Sequence, residues 1–190
     1  MFIYSSYVYY SNVLHIEDCI IYDAMTSDTG KWINNDAIID ITDEGTQITR
    51  NTDGQAKYLL DTTVNYPATI EFTYMGGGSI CGLGFDGGDL DNTGSIWFIN
   101  YFISSSKLSI NSYPSSTSTS RTGASTTKTL NVNDVIKVIV EEENIRLYLN
   151  NILLISKKSY KLDLSDIFEF YSYNNSIQKI KGFKIKLYSV

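Results

Sequence analysis

Histidine, cysteine and proline are scarce in this sequence, and each scarcity excludes a kind of site or segment. His15 is the only histidine, so a catalytic base or a zinc site built on imidazole would depend on that one residue. Cys19 and Cys81 are the only cysteines, and two thiols so far apart in sequence are more typical of separate buried side chains than of a disulfide. The two prolines exclude a proline-rich linker or stalk.

An excess of basic residues is also missing. The formal net charge is −6 at pH 7, which argues against a general phosphate-binding surface and against nucleic acid as the main partner. No apolar run is long enough to span a membrane, so membrane insertion is not expected. Residues 1–22 lack the basic start and unbroken apolar core of a signal peptide. We therefore expect an extracellular or virion-surface protein to travel as part of a larger assembly.

What the sequence does contain is aromatic and β-branched residues, which favour strands. Residues 135–156 hold two successive apolar–polar alternations, and a period of two predicts strands with one buried face. Asn150 and Asn151 mark the second turn of this meander, since asparagine tolerates the left-handed conformation of tight turns. The residues predicted to face the core here and in the last strand are Ile136, Val138, Val140, Ile145, Leu147, Leu149, Phe183, Ile185 and Leu187.

The rest of the chain repeats this organisation. Short strand-like runs recur at intervals of about 8–12 residues with turn signals between them, and no segment of a dozen residues has the 3.6-residue period of an amphipathic helix. The fold class predicted is all-β, a two-sheet antiparallel jelly-roll sandwich of roughly a dozen strands.

A glycine-rich loop carries the first candidate site. Asp86, Asp89, Asp91 and Asn92 place four oxygen-bearing side chains within a few residues. Calcium prefers several oxygen ligands on a flexible loop, which makes Asp86, Asp89 and Asp91 candidate metal ligands. An ordinary turn is the alternative, because Asp, Asn and Gly are also the usual turn residues.

Aromatic residues on the following strand suggest a stacking surface. Trp97 and Tyr101 are four positions apart and therefore share one face of a strand. Flat rings can lie against the apolar face of a pyranose, and the outward residues Arg146 and Tyr148 could join them in binding a glycan. If Trp97 and Tyr101 instead belong to the core, Asn100 faces outward and becomes the polar contact.

Two further segments have unusual composition. Residues 115–129 contain 11 Ser or Thr among 15 positions, typical of a solvated loop or an edge hairpin, with a glycosylated or ligand-facing segment as the alternative. Lys179, Lys181, Lys184 and Lys186 form a local basic patch. We interpret it as a sheet edge guarded against strand addition, with an anion site as the alternative.

The meander DVIKVIVEEENIRLYLNNILL resembles the penultimate meander of the concanavalin A-like lectin/glucanase superfamily, which includes laminin G-like and pentraxin-like modules. Tyr148 and Asn150 stand at the Tyr-x-Asn ending common in that meander. GFKIKLYSV resembles the family's last strand, which returns beside the first, and SDTGKW resembles its opening turn and tryptophan. The resemblance covers residues 23–190, leaving residues 1–22 as an N-terminal strand extension and a possible homo-oligomer interface.

The resemblance implies two stacked, curved antiparallel sheets, and many lectins of the superfamily hold calcium beside the sugar site. Its glucan-hydrolysing members carry a Glu-x-Asp-x-x-Glu row, because hydrolysis needs two carboxyl groups flanking the scissile bond. No such row occurs here: Glu71 stands alone, and residues 141–143 lie at a turn. We therefore expect no enzyme activity, with a hydrolase using an unrecognised carboxylate pair as the least favoured alternative.

The expected function is a non-catalytic carbohydrate-binding module that recognises a glycan or a glycosylated cell surface. Such a module would serve as a receptor-binding or adhesive part of a virion tail fibre or a cell-surface adhesin. The alternative is a structural or assembly module, such as a virion decoration domain or an oligomerising tip, that binds no sugar.

Overall fold

The computed structural model describes residues 19–35, 37–50, 55–65, 67–77, 81–86, 96–102, 106–113, 122–141, 143–158, 165–173 and 176–187. Every regular element in these ranges is a β-strand, as predicted, and so no helix there is available to span a bilayer. The strands are β1 Cys19–Asp23, β2 Trp32–Asn35, β3 Ala37–Thr42, β4 Gly45–Arg50, β5 Gln55–Asn65, β6 Ala68–Gly77, β7 Cys81–Asp86, β8 Ile96–Phe102, β9 Lys107–Tyr113, β10 Thr122–Thr127, β11 Val135–Glu141, β12 Asn144–Leu149, β13 Ile152–Lys158, β14 Ser165–Tyr173 and β15 Ile177–Leu187.

The strands form two antiparallel sheets. The eight-stranded sheet has the order β13-β12-β11-β6-β15-β4-β3, and β1 pairs with β15 beside this path. The seven-stranded sheet has the order β10-β9-β8-β7-β14-β5-β2. The predicted sandwich is thus confirmed, including the return of the last strand beside the first.

The alternation read in the central meander sets the register of β11 and β12. Val138 lies opposite Leu147, and Lys137 lies opposite Tyr148, so apolar and polar residues take opposite faces across the pair. Eight of the nine predicted core residues are buried, and the side chain of Leu187 lies outside the described part of the chain. Asn150 and Asn151 have φ values of 51° and 66°, the left-handed conformation predicted for this turn.

Aromatic rings fill the space between the sheets. Phe72 of the eight-stranded sheet meets Phe170 of the seven-stranded sheet edge-on, with ring centroids 5.1 Å apart. Phe183 lies 5.0 Å from Phe168 across the same interface. Phe168 and Phe170 alternate with an outward residue on β14, and Phe183 follows the core residue Ile180 on β15. Cys81 is a buried thiol whose Sγ donates a hydrogen bond to the Ile177 carbonyl at 3.1 Å, so it does not form a disulfide with Cys19.

A buried aspartate organises the opening turn. Asp23 is 2% exposed and accepts hydrogen bonds from Met25 N (2.8 Å), Thr29 Oγ1 (2.6 Å) and Trp32 Nε1 (3.0 Å). The Trp32 ring stacks on Tyr58, with centroids 5.1 Å apart. Burial, followed by the carboxylates of Asp28 and Asp23, raises the pKa of Tyr58 to about 12. Trp32 of the SDTGKW segment is therefore part of the packed interior.

One expectation about edges needs correction. Strand β15 lies between β6 and β4, so Lys179, Lys181, Lys184 and Lys186 do not guard an edge. Closely spaced lysines suggested an edge because sequence alone does not show which strands flank a segment. Conversely, part of the Ser/Thr-rich segment does lie at an edge, because Thr122–Thr127 is the outermost strand of its sheet. The boundary expected after residue 22 falls inside β1, which pairs with β15.

Candidate functional site

The outer face of the seven-stranded sheet is defined by its register. Residues directly opposite each other in paired strands share a face. Cys81 and Leu83 are fully buried in the core, so Gly82 and Gly84 lie on the outer side. One continuous row on this side has the backbone positions Asn35, Lys57, Tyr171, Gly82, Asn100, Ser109 and Ser125.

Hydroxyl and amide groups dominate the end of this face formed by β9 and β10. Asn111 is half-buried, and its Nδ2 donates a hydrogen bond to Ser109 Oγ at 3.3 Å. Ser125 is exposed opposite Ser109. A Cβ atom at Gly123 would lie 2.9 Å from Asn111 Oδ1, so glycine there leaves room for the amide. The arrangement offers donors and acceptors at neighbouring positions, the chemistry needed to bond the hydroxyl groups of a ligand.

Glu169 lies near the middle of the same face and was missed by the sequence analysis. It sits opposite Gly84 and Leu59 on the neighbouring strands, and it is 0% exposed. A glutamate between Phe168 and Phe170 is typical of a solvent-exposed position in an alternating strand. Gly84, which lies opposite Glu169, was the only sequence feature that indicated a different environment, and this pairing is known only from the register of β7 and β14.

The aspartate loop is only partly described. Asp86 is the last residue of β7, at a position opposite Ile167 of β14. Asp89, Asp91 and Asn92 lie outside the described residues, so the predicted calcium site stays a prediction. Among the described side chains, no group of three His, Cys, Asp or Glu residues is arranged to hold a metal ion.

The positions of Trp97 and Tyr101 follow from the pairing of β7 with β8. Trp97 lies opposite Phe85, and Tyr101 lies opposite Cys81. These positions belong to the side of the sheet on which Cys81 is buried, as expected for core residues, and Asn100 then occupies the outer side. Their role in ligand binding stays a prediction.

Arg146 and Tyr148 do not join that strand, because β12 belongs to the other sheet. Arg146 forms an ion pair with Glu141, and the Tyr148 ring lies 5.0 Å from Lys137 Nζ. The sandwich separates these two residues from Asp86 and β8. The expected single face containing Trp97, Tyr101, Arg146 and Tyr148 is therefore not assembled, since sequence spacing does not reveal which sheet a strand enters.

Most described glutamates are held by cations. The ion pairs are Glu71 with Lys184 at 2.5 Å, Glu44 with Lys179 at 3.1 Å, Glu143 with Lys158 at 3.1 Å, and Glu141 with Arg146.

Comparison with known proteins supports the fold. No protein-family model and no curated protein sequence matches the chain. Among solved structures, it is similar to a carbohydrate-binding module, CBM66, from Bacillus subtilis, with 16% identity and a TM-score of 0.65 over 82% of this chain and 95% of that one. A Bacillus subtilis protein of unknown function with a galectin-like fold gives 11% identity and a TM-score of 0.71 over 88% and 95%.

An enzyme has the same architecture. A Bacillus licheniformis β-glucanase is similar at 12% identity, with a TM-score of 0.65 over 89% of this chain and 98% of that one. The neighbours thus include both a binding module and a hydrolase, and identities this low establish architecture alone. The chain has the concanavalin A-like jelly-roll fold of lectins and glucanases.

Proposed function

We propose that this chain is a non-catalytic carbohydrate-binding module whose glycan site lies on the outer face of the seven-stranded sheet. The observation that carries the proposal is the pair of accessible polar groups formed by the Asn111 amide and the exposed Ser125 hydroxyl, with the buried Ser109 Oγ accepting a hydrogen bond from Asn111 Nδ2 beneath them. It occurs on a fold that this chain shares, along most of its length, with a carbohydrate-binding module. Sugar hydroxyls both donate and accept hydrogen bonds, as these groups do.

The state of the described carboxylates favours binding over hydrolysis. A glycosidase needs two carboxyl groups that reach the same glycosidic bond. Glu71, Glu141 and Glu143 are each engaged by a lysine or arginine, and Glu169 has no solvent contact through which a substrate could reach it.

A glycan array followed by titration calorimetry tests the proposal. Asn111→Ala should weaken binding of the selected glycan about tenfold, since a hydrogen bond contributes about 1 kcal/mol and the truncation also removes one side of the Ser109 contact. Asn144→Ala is the matched control, because Asn144 is also half-buried with one side-chain bond, to Glu141 Oε2 at 3.1 Å, but lies in the other sheet. Absence of binding to every cell-surface glycan, with and without calcium, would contradict the proposal.

The aspartate loop and β8 need separate variants. Asp89→Ala should weaken binding without changing the melting temperature if the loop contacts the sugar or a calcium ion. Removal of calcium by a chelator should then lower the affinity of the wild-type protein but leave that of Asp89→Ala unchanged. Trp97→Ala should mainly lower the melting temperature if position 97 belongs to the core, whereas normal stability with lost binding would assign its ring to the site.

A receptor-binding or adhesive role in a tail fibre or cell-surface adhesin is the biological setting that we propose for this activity. Such assemblies are extracellular or on a virion surface, where glycans are displayed. Binding of the isolated chain to intact glycosylated cells, and its loss after enzymatic removal of surface glycans, is the expected result. Equal binding before and after glycan removal would contradict this setting.

An assembly role is the second candidate, and the edge strand β13 favours it. Ile152 and Leu153 are 66% and 49% exposed on this outermost strand. An apolar unpaired edge is suited to adding a strand from a second copy. Light scattering should then show an oligomer that Ile152→Lys converts to monomer, whereas a wild-type monomer at working concentration would exclude this mode.

A further inference from the structure

A small cleft opens on the outer face of the eight-stranded sheet, on the side of the sandwich opposite the proposed glycan site. Its volume is about 190 Å³. Three neighbouring strands contribute to it, because Lys137 of β11 pairs with Glu71 of β6, and Glu71 pairs with Lys184 of β15 in turn. Tyr148 extends the same row beyond Lys137. The residues lining the cleft are Thr69, Glu71, Lys137, Lys184 and Lys186.

The charge of the cleft is opposite to that of the chain. Three lysines surround one glutamate, whereas the whole sequence has a formal net charge of −6. Lys184 is neutralised by Glu71 at 2.5 Å. Lys137 donates a hydrogen bond to the neutral amide Asn151 Oδ1 at 2.6 Å, and Lys186 forms no ion pair among the described residues. Among the described residues, neither the Lys137 nor the Lys186 ammonium group forms an ion pair, and Thr69 lines the same cleft.

We propose that this cleft binds the anionic group of an acidic saccharide, a sulfate ester or a uronate carboxylate. Lys137 and Lys186 supply the positive charge, and Thr69 supplies a hydroxyl donor. The half-buried pair Glu71–Lys184 forms one wall, with side-chain exposures of 23% and 25%, so an ion placed there loses part of its screening by water. The ring of Tyr148, already beneath Lys137, continues the surface for the adjoining sugar.

Glu71 distinguishes a saccharide from other anions. Its carboxylate accepts hydrogen bonds and donates none, so a ligand reaching it should carry donors next to its negative charge. An acidic sugar has hydroxyl donors beside its sulfate or carboxylate. An inorganic anion or a phosphodiester lacks them and would place its charge against that of Glu71. This small cleft on an acidic chain also differs from the long basic stripe of a nucleic-acid-binding surface.

Calorimetry with four probes tests the proposal on the full chain: a heparin-derived tetrasaccharide, tetragalacturonate, the neutral cellotetraose, and sodium sulfate. A tetrathymidylate oligonucleotide is the fifth arm. We expect at least one acidic tetrasaccharide to bind at least tenfold more tightly than cellotetraose, with an affinity that falls as salt increases. Equal affinity for the acidic and neutral sugars, or equally tight binding of the oligonucleotide, would overturn the proposal.

Variants locate the site. Lys186→Gln and Lys137→Gln should each weaken binding of the acidic tetrasaccharide roughly two- to fivefold, the range expected for a partly exposed charge contact. Lys179→Gln is the matched control, since Lys179 lies on the same strand but bonds Glu44 outside the cleft. An equal loss in Lys179→Gln would show nonspecific attraction and would overturn the assignment.

Glu71→Gln provides the sharpest contrast, because it should affect the two kinds of anion in opposite directions. Removing its charge should strengthen binding of sodium sulfate and weaken binding of the acidic tetrasaccharide, which loses a charged acceptor for its hydroxyls. Strengthening of both would mean that the cleft binds simple anions only. Asn111→Ala should leave all of these affinities unchanged, so failure here is separable from failure of the glycan site on the other sheet.

Discussion

Asp23→Asn should be strongly destabilising although it replaces only one carboxylate oxygen by an NH₂ group. The carboxylate accepts three hydrogen bonds at 2.6–3.0 Å while almost fully buried. The asparagine amide must turn its NH₂ group either toward Met25 N–H or toward Trp32 Nε1–H, and both of these are donors. In either orientation one donor loses its partner, which costs about 1–3 kcal/mol, and the remaining bonds lose their charge assistance. We expect a total loss of about 3 kcal/mol in the free energy of unfolding.

Urea unfolding followed by tryptophan fluorescence and by far-UV circular dichroism measures this loss. Asp28→Asn is the matched control, since Asp28 lies in the same turn, is exposed, and bonds Gly30 N at 2.9 Å through an oxygen that asparagine retains. It should cost less than about 0.5 kcal/mol. A loss below about 0.5 kcal/mol for Asp23→Asn, or one equal to that of the control, would refute the argument that these three bonds hold the turn.

Four other variants test the fold. Leu147→Ala should cost about 2–5 kcal/mol, because Leu147 is 1% exposed in the core; a loss under about 0.5 kcal/mol by urea unfolding would contradict the packing. Gly45→Ala should cost several kcal/mol, since φ is +130° and a Cβ would lie 2.4 Å from the Ile180 carbonyl oxygen, whereas Gly30→Ala, with φ of +66° and open space, should cost about 1 kcal/mol. Tyr58 keeps its proton to about pH 12 when folded and to about pH 10 when unfolded, so its contribution to stability is complete below pH 10 and is lost as the pH rises to 12. Between pH 10 and pH 12 the wild-type protein should therefore lose roughly 2 kcal/mol more of its unfolding free energy than Tyr58→Phe loses. An identical pH dependence in the two proteins would contradict the assignment.

Local alternation made the strands and the core predictable. In β11 and β12 the apolar residues recur every second position, and burial of Val138 and Leu147 follows directly from that period. The left-handed turn at Asn150 was predictable for the same reason, since the conformational preference of asparagine is a local property.

The candidate site was less predictable because it depends on pairing between distant segments. Ser125 joins Asn111 and Ser109 only because β10 pairs with β9. Arg146 and Asp86 looked compatible in sequence, yet their strands enter different sheets. The lysines of β15 were assigned to an edge for the same reason, whereas the strand is interior. Sequence periodicity determines the face of a residue within its strand, but the neighbours of that strand depend on the topology.

The two last strands along the described chain each enter the interior of a sheet. β14 lies between β7 and β5, and β15 lies between β6 and β4. During synthesis on the ribosome, the strands that flank β14 and β15 therefore keep unpaired edges until this segment has emerged. Such late, long-range pairing predicts slow folding, and it makes a nascent or truncated chain prone to associate through its open strands.

The same connectivity suggests a way to divide the molecule. A fragment ending at Lys158 would contain the partners of β14 and β15 in both sheets, and a separate peptide covering residues 165–187 would supply the two missing strands. Because the peptide would insert into two sheets at once, its association should be cooperative. Adding or removing the β14–β15 peptide would then control whether both sheets of the sandwich are complete.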